Sequence, residues 1–102
     1  MPLFIKTELF KSTALGLLPN QRKKIISAHI EWVKNLSDSG IRIASGYLVD
    51  ANKQAGGGGW LIMKAESFEK AKLLIEQDPM IKRDLVDWKL QEWIPIHGEL
   101  FT

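Results

Sequence analysis

The chain has no cysteine, and only two histidines and one tyrosine among its 102 residues. Without thiols it can form no disulfide, bind no metal through thiolates and offer no cysteine nucleophile. No apolar run approaches the roughly 20 residues that a membrane-spanning helix needs, so no membrane partner is expected. The basic segment and long apolar stretch of a secretory leader are missing from Met1-Pro2-Leu3-Phe4-Ile5-Lys6-Thr7. These absences together predict a cytoplasmic protein. Charge of one sign is scarce too: 14 Lys and Arg against 12 Asp and Glu leave a net +2. The densest basic cluster, Arg22-Lys23-Lys24, falls in the opening turns of a helix. It reads as a solvated face, and no nucleic-acid partner is expected.

What is present is a globular balance, 45% apolar and 25% charged, over a length that suits one domain spanning 1–102. Leu3, Ile5, Thr7 and Leu9 alternate with Phe4, Lys6, Glu8 and Phe10, which predicts a strand over 2–10. After the polar break Lys11-Ser12-Thr13, Pro19 suits a first helical position. Ile25, Ile26, His29, Ile30, Trp32, Val33 and Leu36 then recur at helical spacing until Ser37-Asp38-Ser39-Gly40 ends the run. A second strand is predicted over 41–50, a long flexible loop with four glycines over 51–59, and a third strand over 60–65. Ser67 caps a second helix over 68–77, with Phe68, Ala71, Leu74 and Ile75 as its buried stripe. Asp78-Pro79 stops it and opens a further short turn of helix. A fourth strand over 85–96 precedes a peripheral tail at 97–102.

The order β-α-β-β-α-β predicts an α+β, ferredoxin-like fold: a four-stranded antiparallel sheet with two helices on one face. Strand periodicity alone leaves open which parity faces the helices. One choice exposes Phe4, Lys6, Glu8 and Phe10 on strand one together with Lys89, Gln91 and Trp93 on strand four. Either leaves large side chains uncovered. A second copy related by two-fold symmetry is the simplest cover, so a homodimer through the open sheet face is expected.

Chemistry has few places to sit. His29 lies inside the apolar stripe of the first helix, one turn after Ile25 and one turn before Val33. A histidine there is either a satisfied core residue or a partly buried general base. Asp78 has two readings as well, as the cap of the short helix after Pro79 and as the partner that orients the imidazole. One carboxylate can do both. Gly56-Gly57-Gly58-Gly59 lacks the spacing of a phosphate loop and precedes a strand, where a phosphate cradle opens a helix. Ser45-Gly46 suits a bulge or a close backbone approach, and Trp60 suits packing or a ligand wall. His97 falls in the tail and is read as solvated.

Taken in order, these residues resemble the YCII-related family of small dimeric α/β-barrel proteins. The resemblance rests on Ala28-His29-Ile30 with Leu36 and Gly40, then Ala44-Ser45-Gly46, then Gly59-Trp60-Leu61-Ile62. Ser67-Phe68-Glu69-Lys70-Ala71 and Asp78-Pro79-Met80 complete it before an aromatic closing strand. It covers strand one to about Pro95, and its specificity lies in order and spacing. Tyr47 departs from the pattern, which commonly has proline there, and 11–18 is longer than usual. The resemblance implies a ferredoxin-like fold, dimerisation through the sheets and a site centred on His29 and Asp78; Ser45, Gly46 and Trp60 are the candidate substrate-binding residues beside it.

Two functions follow as expectations. One is a cofactor-independent, isomerase- or lyase-like enzyme. His29 would move a proton on a small cyclic or aromatic substrate, and Asp78 would stabilise the imidazolium. No metal and no cofactor are called for. The other is a small-molecule binding or sensing module using the same pocket without catalysis. RNA binding shares the topology, but Gly59-Trp60-Leu61-Ile62-Met63-Lys64 has one aromatic where base stacking needs alternating ones.

Overall fold

The side chains of the first strand decide how the rest of the molecule is arranged. In the computed structural model, which describes residues 1–99, Phe4 and Lys6 are fully buried while Thr7 and Leu9 are exposed. The face bearing Phe4, Lys6 and Glu8 is therefore the one the helices cover. Positions 100–102 of the expected tail lie outside the described residues, and His97 is exposed.

The elements run β1 (Leu3–Phe10), α1 (Ser12–Leu15), α2 (Pro19–Asp38), β2 (Ile43–Val49), β3 (Ala55–Lys64), α3 (Phe68–Ile75), α4 (Pro79–Lys82) and β4 (Val86–Trp93). The four strands form one antiparallel sheet in the order β2-β3-β1-β4. This is the ferredoxin-like arrangement, with two short helices, α1 and α4, added to the two long ones. No helix among the described residues is long and apolar enough to cross a membrane.

Local signals explain most boundaries. Pro19 opens α2, and the backbone N–H of Leu18 donates to the Gln21 side chain. Gly40 follows that helix at φ +99°, a left-handed position suited to glycine. Ser67 caps α3 by accepting from the Lys70 backbone N–H. Asp78 caps α4 by accepting from Met80 N–H. The main core joins Phe4, Leu61, Met63, Ala71, Ile75 and Leu90, and Phe68 packs edge-on against Phe4 with ring centres 6.2 Å apart.

The glycine run departs from expectation. It is strand, not loop: β3 begins at Ala55, and the connection shrinks to a tight turn at 50–54. There the Asp50 carboxylate accepts from the backbone N–H groups of Asn52 and Gln54. Pairing with both neighbours makes the glycine run strand, Gly59 lying opposite Glu8 of β1 and Tyr47 of β2, and β1 comes close enough at Gly58 and Gly59 to demand glycine there. A Cβ on Gly58, which sits at φ +91°, would lie 2.2 Å from the Glu8 carbonyl oxygen. Periodicity could not show this, since glycine has no hydrophobic signal of its own. The parity left open is also settled. Strand pairing sets Lys89, Gln91 and Trp93 beside Thr7, Ile5 and Leu3 on the open face.

Candidate active site

The site is built where the middle of α2 crosses the sheet beside the start of α4. His29 lies one turn beyond buried Ile25, so its ring points down onto the sheet, and its side chain keeps 12% of its surface exposed. Ser45 on β2 points up toward it. Asp78 is held at the start of α4, which it caps, and Pro79 at the first helical position fixes the approach of the chain.

The three groups meet. His29 Nδ1 lies 2.9 Å from Asp78 Oδ1, and His29 Nε2 lies 2.9 Å from Ser45 Oγ. Asp78 is fully buried. Burial pushes its carboxyl upward, but the hydrogen bond from His29, the charge of Lys6 and the Met80 N–H outweigh this and hold it below its ordinary value of 3.8. It is therefore a carboxylate, and an acceptor only. Nδ1–H of His29 must donate to it, so in the neutral ring Nε2 is the free base and accepts from the Ser45 hydroxyl. Capping and orientation coexist on one carboxylate: Oδ1 accepts from both Met80 N–H and His29.

Two further residues complete the cluster. Lys6 Nζ donates to Asp78 Oδ2 at 3.1 Å and pairs with the Glu8 carboxylate as well, and Lys6 is fully buried. Read along the chain, Lys6 is one polar residue in an alternating strand, and nothing in the local pattern marks it. The only hint is parity: Lys6 shares the face of Phe4, which the core claims.

Gly46 and Trp60 are placed differently from Ser45. They are paired neighbours across β2 and β3. Successive residues of a strand point to opposite faces, so the Trp60 ring lies on the open side of the sheet, away from His29. A shallow depression of about 160 Å³ runs along Ala44, Ser45, Gly46, Tyr47, Leu48 and Trp60. It touches Ser45 but neither His29 nor Asp78, and it falls short of the roughly 300–1,000 Å³ of ligand pockets. Among the described residues no three His, Asp or Glu side chains gather as a metal set.

Residues 4–94 match the model of the YCII-related domain. The chain belongs to the YCII-related family. Among solved structures, this YCII-related domain is similar to 5-chloro-2-hydroxyhydroquinone dehydrochlorinase (TftG) from Burkholderia phenoliruptrix AC1100, in complex with 2,5-dihydroxybenzoquinone. The two are 25% identical, the match covers 94% of this chain and 95% of the other, and the TM-score is 0.69. Two structures of At3g17210 from Arabidopsis thaliana share the fold. Ensemble refinement of its crystal structure gives 13% identity, 98% and 100% coverage and a TM-score of 0.53. Its solution structure gives 15% identity, 97% and 91% coverage and a TM-score of 0.59. No curated protein sequence matches the YCII-related chain.

Proposed function

We propose that this YCII-related domain is a cofactor-independent enzyme that uses His29 and Asp78 for acid/base chemistry on a small hydroxylated aromatic or cyclic substrate. One observation carries the reading: an imidazole with one nitrogen locked on a buried carboxylate and the other turned toward a hydroxyl at the surface. Such a ring is a poised base. A substrate O–H taking the place of the Ser45 hydroxyl would pass its proton to Nε2, and the resulting imidazolium would face the Asp78 carboxylate. Loss of HCl from a chlorinated hydroquinone, the reaction named for TftG, asks for this device, because a base takes the proton and chloride leaves with the electron pair. Ser45 and Gly46 would line the approach.

The same reading includes a cytoplasmic homodimer in the dimeric α/β-barrel arrangement. Supporting it, the open sheet face carries Leu3, Ile5, Leu9, Ile62 and Trp93, of which Leu9 keeps 58% and Trp93 36% of its surface. A second copy stacked there would cover Trp60 and deepen the shallow depression beside it. The test is chloride release and quinone absorbance when the protein meets 5-chloro-2-hydroxyhydroquinone and related hydroquinones. Turnover by wild type that falls at least about 100-fold in His29→Ala is expected. Equal turnover by both proteins sinks the mechanism. Saturable ligand-induced NMR shifts with no product would favour the binding-module reading instead.

A further inference from the structure

We propose that Lys6 is a positioning residue of this site, a buried cation that keeps Asp78 ionised under His29, and that Glu8 is the counterion holding it there. The inference deepens the acid/base reading above and rests on it.

A lysine fully removed from water needs compensation, and here it comes from two carboxylates. Packing alone does not call for it. Lys6 pairs across the sheet with Leu61 on one side and Leu90 on the other, both buried and apolar. A hydrocarbon side chain would fill that row at least as well, since buried ion pairs rarely outperform apolar packing. The ammonium is explained by what it touches, the Asp78 oxygen that His29 leaves unused.

Glu8 is held in place by an absence. A Cβ on Gly59 would lie 2.9 Å from Glu8 Cγ and 3.0 Å from Cδ. The bare backbone at Gly59 lets the Glu8 side chain fold back over the sheet and reach Lys6, which gives this glycine a purpose no loop motif supplied.

The groups facing the dyad from every packed element are then Lys6 and Glu8 on β1, Ser45 on β2, Trp32 on α2 and Asp78 itself. With a neutral imidazole their charges sum to −1, and with an imidazolium to zero. A proton taken from substrate therefore neutralises the buried cluster. Without Lys6 the starting charge is −2, and Asp78 becomes the group that protonates.

The test follows the Asp78 carboxyl carbon by NMR through an acid titration of the full chain, without substrate. In wild type the Asp78 midpoint is expected below the ordinary carboxyl value of 3.8. Lys6→Met is expected to move its midpoint up by about one pH unit or more, and Lys6→Arg to return it toward wild type. If Lys6→Met does not fold, Lys6→Met combined with Glu8→Gln keeps the net charge and is measured instead, with a smaller upward shift expected because the negative charge of Glu8 is gone as well. A folded Lys6→Met or paired variant whose Asp78 titrates as in wild type overturns the proposal. The two ideas fail separately: unchanged Asp78 titration with turnover intact removes Lys6, whereas a shifted titration with no turnover of any hydroquinone removes the enzyme reading.

Discussion

Asp78→Asn takes one negative charge out of a fully buried site while sparing the backbone around it. Asparagine caps helices about as well as aspartate, so Met80 N–H keeps its acceptor and α4 keeps its start. What is lost is the ionic partner of Lys6 and the acceptor that selects the Nδ1–H form of His29. Breaking a buried pair by removing one partner costs about 3–5 kcal/mol. Glu8 still pairs with Lys6 here, so about 2–3 kcal/mol is expected, or about 10–20 °C in the melting temperature of a domain this size. The pH dependence carries the test. Because the folded carboxyl lies below its ordinary value of 3.8, its contribution is fully present above that value and is lost as pH falls through the folded one. Urea denaturation of wild type and Asp78→Asn should therefore differ by the full amount at pH 5 to 7 and by progressively less as pH falls below about 4. A gap that persists unchanged at acid pH, or one below about 0.5 kcal/mol at neutral pH as for an ordinary surface change, refutes the electrostatic account.

Two other outcomes check different parts of the structure. Gly58→Ala should cost more than about 2 kcal/mol in thermal unfolding, because its Cβ would strike the β1 backbone at a positive φ. Gly46→Ala, which meets open space, should stay within about 1 kcal/mol; equal effects would mean that β3 does not press on β1 as described. Leu9→Glu with Trp93→Glu should convert a dimer into a monomer in sedimentation velocity without loss of the helical circular dichroism signal. A wild-type chain that sediments as a monomer at high concentration refutes the covered-face model.

The legible parts of this protein were those with a local cause. The helical spacing from Ile25 to Leu36, the cap at Ser67 and the Asp78-Pro79 stop each act within a few residues, and each appears where it was expected. The order of elements was enough for the ferredoxin-like topology, since two helices on a four-stranded sheet leave few alternatives. Elements whose cause is distant leave no such local signal. The glycine run reads as a flexible loop because glycine favours no conformation by itself. It becomes strand only because β1 and β2 pair with it, and Glu8 and Leu9 of β1 leave no room for a side chain at Gly58 and Gly59. Trp60 shows the same limit, since a large aromatic near a suspected site looks like a wall until strand pairing assigns it a face.

The sequence by itself determined which groups are chemically able: one histidine in the body of the fold, an aspartate before proline, and no thiol. The tertiary structure decided which of them share a charge. Lys6 and Asp78 are 72 residues apart and His29 is 49 from Asp78, and no periodic pattern connects them. Their coupling exists only because the sheet and the helices over it exclude water from the space between, where one charge cannot be stable without the others.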